Sequence, residues 1–297
     1  MGSGSRPRLC LSGSDLGRIM EELIRRAAKD LAESKCAIAL TGAGMSTESG
    51  IPDFRGPKGI WTTNKEAEAK AYQRYELLLN DPGAYWKEML GFQGTYGTFY
   101  EQMRQAEPNP GHYALAQLEA LGILRCVVTQ NTDGLHKKAG NKRVIEYHGS
   151  IHALRCICCG SRFAREEVSS DELPPRCKCG AALKYDVVHF KEPIPLDVME
   201  ESAREASRCD LMLICGTSAV VYPFASLPRM ARFPSGGLLP GLDVTGHKAH
   251  VKIIEVNADP TPLTCEGISD YLIQGKTGEI LPRIVEELKE ARFHNEH

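Results

Sequence analysis

The chain has 297 residues, with 36 Lys and Arg against 38 Asp and Glu and a formal net charge of −2. That length suits about two domains, and the near-neutral balance argues against a protein that binds nucleic-acid phosphates nonspecifically. At 42% hydrophobic the sequence is too apolar for a disordered tail, and it lacks a run of about 18 uninterrupted apolar residues that would suggest a membrane span.

The start, Met1-Gly2-Ser3-Gly4-Ser5-Arg6, has no apolar stretch, so no secretory signal is expected. Residues 15–33 carry Leu16, Ile19, Met20, Leu23, Ile24, Ala27 and Leu31 at helical spacing, with Ser14 as the expected N-cap. Cys36 to Leu40 is a short apolar run ending in Thr41-Gly42-Ala43-Gly44, which reads as a buried parallel strand and a glycine turn. Residues 60–110 are rich in aromatics, among them Trp61, Tyr72, Phe92 and Phe99, and are partly helical in pattern. Three more apolar runs follow the first: Arg125 to Thr129, Asp210 to Cys215 and Val251 to Val256. Each leads into small or polar residues, and helical patterns at 112–121 and 198–207 lie between them. Strands alternating with helices predict a parallel α/β sheet with right-handed crossovers. Ligands in such sheets bind beyond the carboxyl ends of the strands, although turns favour the same residue types. Residues 234–250 read as a Gly- and Pro-containing loop, and Gly278 to Phe293 as a helix with Pro282 in its first turn.

Eleven cysteines are an odd number, and five of them fall between Cys156 and Cys179. Cys156-x-x-Cys159 is followed after 17 residues by Cys177-x-Cys179, with Cys158 as a spare. Two thiolate pairs at this separation suit one structural Zn2+ with no open position; an iron–sulfur cluster or free thiols are the alternatives. Cys36, Cys126 and Cys215 sit in apolar runs and read as core residues. The pattern indicates a reducing compartment, and cytoplasm is the expected location. The 151–184 segment carries six Lys or Arg against four acids, a thin footprint for a zinc-ribbon nucleic-acid module. No direct nucleic-acid or membrane partner is expected.

Gly42-x-Gly44 is half of a dinucleotide-binding glycine pattern, with Thr47 where a third glycine belongs. Asp53-Phe54-Arg55 sets an acid, a ring and a cation side by side, suited either to closing over a charged, ring-bearing ligand or to an ordinary surface loop. His148 ends the apolar stretch Val144 to Tyr147 and precedes Gly149, at a pocket rim.

Gly42-Ala43-Gly44-Met45-Ser46, Gly50-Ile51-Pro52-Asp53-Phe54-Arg55, Gln130-Asn131-Thr132-Asp133, His148-Gly149, the cysteine pairs, Gly216-Thr217-Ser218 and Val220-Val221-Tyr222-Pro223 occur in this order. Together they closely resemble the sirtuin family of NAD-dependent protein deacylases, over about residues 18–288. The resemblance implies a Rossmann-like NAD-binding domain at 14–60, 110–150 and 185–297. It also implies a small helical and zinc-bearing domain at 61–109 and 151–184. NAD and an acyl-lysine of a protein or peptide would meet between the two. Ala43, Asp53, Phe54 and Arg55 would contact NAD, with Trp61 nearby. Gln130 and Asn131 would hold the nicotinamide-side ribose and Asp133 the carboxamide. Gly216, Thr217, Ser218, Asn257 and Asp259 would serve the adenosine half, with Thr277 beside the adenine.

In the implied reaction, NAD loses nicotinamide and its anomeric carbon is captured by the acyl oxygen of the modified lysine, with water excluded. His148 then takes a ribose hydroxyl proton as general base, its reference pKa of about 6.5 suiting that task. The products are deacylated lysine and O-acyl-ADP-ribose. ADP-ribosyl transfer or NAD hydrolysis on the same fold is the alternative. The peptide would add as a strand along Val187 to Glu192, with Val188 accepting the lysine N–H and Phe190 and Val221 lining the acyl tunnel.

Three departures stand out. Lys191 occupies a usual glycine position, which is free of strain only at negative φ. Thr132 replaces a usual isoleucine. Relatives that remove acidic acyl groups carry Tyr-x-x-Arg where this chain has Tyr96 and Phe99, so neutral acyl groups, acetyl first, are expected.

Overall fold

The computed structural model describes residues 13–90, 95–169, 171–233 and 251–295, and of 95–98 and 293–295 the backbone alone. The leader, Phe92, the 234–250 loop and the Tyr96 side chain lie outside the described residues. The chain runs through α1 (Gly13–Glu33), β1 (Ala37–Thr41) and four helices, α2 (Ile60–Thr63), α3 (Lys65–Asn80), α4 (Pro82–Leu90) and α5 (Thr95–Gln105). It continues through α6 (Pro110–Ala120), β2 (Leu124–Thr129), α7 (Leu135–Ala139) and β3 (Val144–Glu146). Next come β4 (Gly149–Cys156), β5 (Arg162–Ala164), β6 (Leu183–Val187), α8 (Leu196–Arg208) and β7 (Leu211–Cys215). The last elements are α9 (Leu227–Arg232), β8 (Lys252–Asn257), α10 (Pro262–Cys265), β9 (Tyr271–Gln274) and α11 (Thr277–Asn295).

Six parallel strands form one sheet in the order β3-β2-β1-β7-β8-β9. Every residue of β1 and β7 is buried, as expected of apolar strands covered on both faces. Thr41 pairs with Thr129 and with Cys215, and Cys215 with Val256, so four strands end level. The strand order reverses between β1 and β7, where open α/β sheets bind their ligands.

One face of the sheet packs against α1, α6 and α11 through residues such as Leu31, Leu115 and Ile284. The other packs against α8, α9 and α10 through Ala206, Leu227 and Leu263. A third core gathers Trp61, Leu78, Tyr85, Trp86 and Phe99 from the helical insertion with Leu154, Cys156 and Leu183 from the cysteine region. That region forms an antiparallel sheet ordered β5-β4-β6. The positions 150/151 and 184/185 fall inside β4 and β6, so strands run continuously from one lobe to the other.

Some expectations at element ends need correction. Ser14 lies inside α1 and is not its N-cap. Leu16 and Ile19 are exposed because the apolar stripe outruns the surface that covers it. Pro282 is the sixth residue of α11, past the first turn. β9 and the antiparallel sheet are additions to the sequence reading. No helix among the described residues is long and apolar enough to cross a membrane.

Trp86 is fully buried, and its Nε1–H donates to the Leu183 carbonyl at 2.6 Å, linking α4 to β6. Trp86→Ala is expected to cost about 3–5 kcal/mol in equilibrium urea unfolding. Trp86→Phe keeps an aromatic ring and should cost less.

Candidate active site

The glycine turns after β1 and β7 touch. Gly44 N–H donates to the Gly216 carbonyl at 2.8 Å, and a Cβ on Gly216 would lie 2.3 Å from Met45 N. A Cβ on Gly42 would meet Thr217 at 2.7 Å. Gly44 and Gly216 are therefore required by close backbone approach, and Gly42 by the packing of the Thr217 side chain against it. Across the same crevice Gln130 Nε2 donates to Thr217 Oγ1 at 2.7 Å, and Asn257 Nδ2 to the Thr217 carbonyl at 3.2 Å. Ser218 and Asp259 are exposed on the turns beyond β7 and β8. Thr277, the first residue of α11, is buried, and among the described residues its hydroxyl has no partner.

Asn131 Nδ2 donates to the Gly42 carbonyl and to Ser46 Oγ, both at 3.0 Å. Ser46 in turn donates to Asp133 Oδ2 at 2.7 Å. Burial pushes the Asp133 carboxyl upward, opposed by the Leu135 N–H and the Ser46 hydroxyl. Asn109 caps α6 and donates to the Met45 carbonyl and Ser49 Oγ, holding the segment after β1. Ser46 stands in the Gly42–Ser46 motif, but sequence alone assigns no role to it or to Asn109; the signal for Asn109 is the Asn-Pro-Gly helix start at 109–111.

His148 follows β3 and shares the crevice. Its Nδ1–H donates to the Gln130 carbonyl at 3.2 Å, which leaves Nε2 with its lone pair. Burial lowers its pKa to about 4, so the imidazole is neutral at physiological pH and a weaker base than the free side chain. His136 and His112 are buried with their rings 4.9 Å apart and tilted, and His136 meets Thr41 Oγ1 at 2.9 Å.

Asp53 accepts from Gly56 N–H at 3.0 Å, which closes the loop, and Ile60 and Trp61 N–H groups return to the Asp53 and Phe54 carbonyls. Ala43 is partly exposed on the turn after β1. Arg55 lies over the Trp61 ring at 4.6 Å. Phe54 packs on Trp61 and Phe99 at 4.7 and 5.6 Å. Phe190 packs on Trp61 and Tyr72 at 5.4 and 4.3 Å. The result is one apolar aromatic wall, with Val221 half-buried after β7.

The segment after β6 is held by buried charge. Val188 N–H donates to the His148 carbonyl at 2.9 Å. Glu192 takes Arg155 at 2.6 Å, Lys184 at 3.0 Å and the His189 N–H at 2.9 Å. Lys184 also donates to the Tyr185 and Val187 carbonyls, and burial lowers its pKa to about 8. Lys191, within this turn, has φ of 69°, in the left-handed region that favours glycine.

Cys156, Cys159, Cys177 and Cys179 bring their sulfurs within 4.8 Å of one another. Cys156 and Cys179 are 3.5 Å apart, and Cys159 and Cys177 3.7 Å. A Zn–S length of about 2.3 Å requires sulfurs about 3.8 Å apart in a tetrahedron. The spacing therefore fits a single ion and is too close for a polynuclear iron–sulfur cluster. The N–H groups of Cys158 and Cys159 donate to Cys156 Sγ, stabilising a thiolate, while the Cys158 thiol stays outside the quartet.

A sequence model of the Sir2 family matches residues 42–223. The chain is 42% identical over 260 residues to NAD-dependent protein deacylase 2 of Pyrobaculum aerophilum, covering 87% of this chain and 93% of that one. It is 40% identical over 264 residues to NAD-dependent protein deacylase 1 of Archaeoglobus fulgidus, covering 89% and 97%. A solved mutant Sir2 homologue in complex with ADP-ribose matches with a TM-score of 0.73 and 38% identity, covering 90% and 97% of the two chains. Sir2Af2 bound to a myristoylated histone peptide matches at 0.60 and 36%, covering 92% and 99%.

Metal analysis of the purified protein is expected to find one zinc per chain. A strong chelator, or Cys177→Ser, should lower the melting temperature, because a structural zinc contributes directly to folding.

Proposed function

The chain belongs to the Sir2 family, and from that premise we propose how its residues carry out NAD-dependent removal of acyl groups from protein lysine. The protein is an NAD-dependent protein deacylase with one structural zinc at the cysteine quartet. NAD, when bound, supplies an ADP-ribosyl group with nicotinamide as the leaving group. One observation carries the site above the others: His148 sits half-buried and neutral in the crevice, its Nδ1–H committed to Gln130 and its Nε2 able to accept a proton.

His148 is the general base that removes a ribose hydroxyl proton. Gln130 and Asn131 orient the nicotinamide-side ribose, and Asp133 takes the carboxamide, its two oxygens already fixed by Ser46 and Leu135. Gly42, Ala43 and Gly44 let the backbone approach the pyrophosphate, with Arg55 supplying positive charge. Asp53, Phe54 and Trp61 close the reacting end against water. Gly216, Thr217, Ser218, Asn257, Asp259 and Thr277 serve the adenosine half. The Val188 carbonyl, which has no partner among the described residues, accepts the substrate lysine N–H. Phe190 and Val221 line the acyl channel. The division into 14–60, 110–150 and 185–297 against 61–109 and 151–184 is supported by the separate cores, except that the third core also takes Ile51, Ile60 and Leu135 and the inner limits cross β4 and β6.

The acyl group is neutral, acetyl first, because the wall built by Phe54, Trp61, Phe99 and Phe190 is aromatic and Phe99 stands where an acidic acyl group needs an arginine. The thiols outside the quartet, Cys36, Cys126, Cys158, Cys209, Cys215 and Cys265, form no disulfide among the described residues, which suits a reducing compartment, and the cytoplasm is the location this supports. A protein or peptide is the partner, and nucleic acid has no part in this reading.

Incubation with NAD and an acetyl-lysine peptide should release nicotinamide and O-acetyl-ADP-ribose together. His148→Ala should lower kcat/KM by about 100-fold or more. Free ADP-ribose or ADP-ribosylated protein as the main product would favour the alternative reaction. The neutral imidazole is the active form, so activity is lost as pH falls through its pKa. Because burial lowers that pKa, the acid limb of kcat/KM is expected well below pH 6.5, and a limb at or above 6.5 would count against His148 as the base. Acetyl-lysine should be cleaved faster than succinyl-lysine in steady-state assays of the same peptide.

A further inference from the structure

β6 is an outer strand of its sheet, but side chains already cover its carbonyls. Trp86 Nε1 takes the Leu183 carbonyl, and Lys184 Nζ takes those of Tyr185 and Val187. The edge reopens just beyond β6. Among the described residues, the Val188 carbonyl, both backbone groups of Phe190 and the Lys191 N–H have no hydrogen-bond partner. Unpaired backbone of this kind, beside the His148 carbonyl, is a template for an extended chain.

Lys191 lies on that edge and is exposed. It holds φ of 69°, a conformation that glycine adopts freely and lysine does not. The turn is imposed by its neighbours: Glu192 N–H returns to the His189 carbonyl, and the Glu192 carboxylate is fixed by Arg155, Lys184 and His189 N–H. Among the described residues no carboxylate pairs with the exposed Lys191 ammonium, so its charge is available to a bound peptide. A strained position that keeps a long cationic side chain, when the smallest residue would relieve the strain, points to a use for the side chain.

We propose that Lys191 is a specificity-determining residue that selects acyl-lysine peptides carrying an acidic residue close to the modified lysine. The inference rests on the reading of 188–191 as the peptide-docking edge. An exposed cation attracts a carboxylate and repels a second cation across such an edge, and both effects weaken as salt rises.

The test uses the purified enzyme, NAD and three acetyl-lysine peptides that differ only in having Glu, Gln or Lys on both sides of the modified residue. kcat/KM should fall in the order Glu, Gln, Lys, with the ends separated by about five- to tenfold at low ionic strength. The separation should shrink at about 0.5 M salt. Lys191→Gly and Lys191→Gln should bring the Glu-to-Lys ratio to about one, and Lys191→Glu should invert it. The melting temperature of Lys191→Gly should be no lower than that of the parent, since glycine suits the backbone. Equal rates on the three peptides, or a ratio that survives in Lys191→Gly and Lys191→Gln, overturn the proposal while leaving the deacylase assignment standing. Failure of the parent enzyme to deacylate any of the three overturns the deacylase reading on which the inference rests, and with it the inference.

Discussion

The contact on which the molecule depends is the meeting of two glycine turns at the reversal of strand order. Gly44 and Gly216 bring the backbone after β1 to within hydrogen-bonding distance of the backbone after β7, and no side chain fits at either position. Because the strands end level, the polar residues that follow them converge on one crevice. Gln130 then reaches Thr217, and Asn131 reaches Gly42 and Ser46. The crevice is thus shaped by backbone proximity first and by side-chain chemistry second.

A second constraint joins this crevice to the zinc lobe. Arg155 on β4, Lys184 on β6 and Glu192 beyond β6 form a buried ion cluster that also engages Asp186. Removing Glu192 leaves Lys184 buried without its ion-pair partner, which is far costlier than losing a surface pair. The cluster fixes the turn that carries Phe190 and Lys191. The metal secures the far end of the same three-stranded sheet. Peptide-side geometry is therefore maintained from both ends of β4 and β6.

The parallel sheet, the cysteine quartet and the position of His148 were legible because each is written locally. Apolar runs mark β1, β2, β7 and β8, and thiol spacing marks the metal site. β9 has only four residues, and β5 only three, too few to give a period. The ion cluster was hidden because Lys184 has the residue type of a surface lysine and its partners lie on other elements. Ser14 and Pro282 misled at helix ends, where capping preferences compete with how far the packing surface extends. His148 was identifiable from sequence, but its proton affinity was not, since burial and not residue type sets it at about 4. The torsion at Lys191 likewise depends on Glu192 and the groups that hold it.

The zinc lobe draws its hydrophobic interior from residues 51–106, from Leu135 and from 151–183, with much of the nucleotide-binding lobe encoded in between. It is consequently not a cassette that gene rearrangement can shuffle as one piece. Emerging from the ribosome, helices α2–α5 must wait for Leu183 before that interior can close. β1 waits longer still, until β7 arrives some 170 residues downstream to cover its second edge. The order of synthesis thus makes the interior of the zinc lobe available by Leu183, before β7 can complete the parallel sheet.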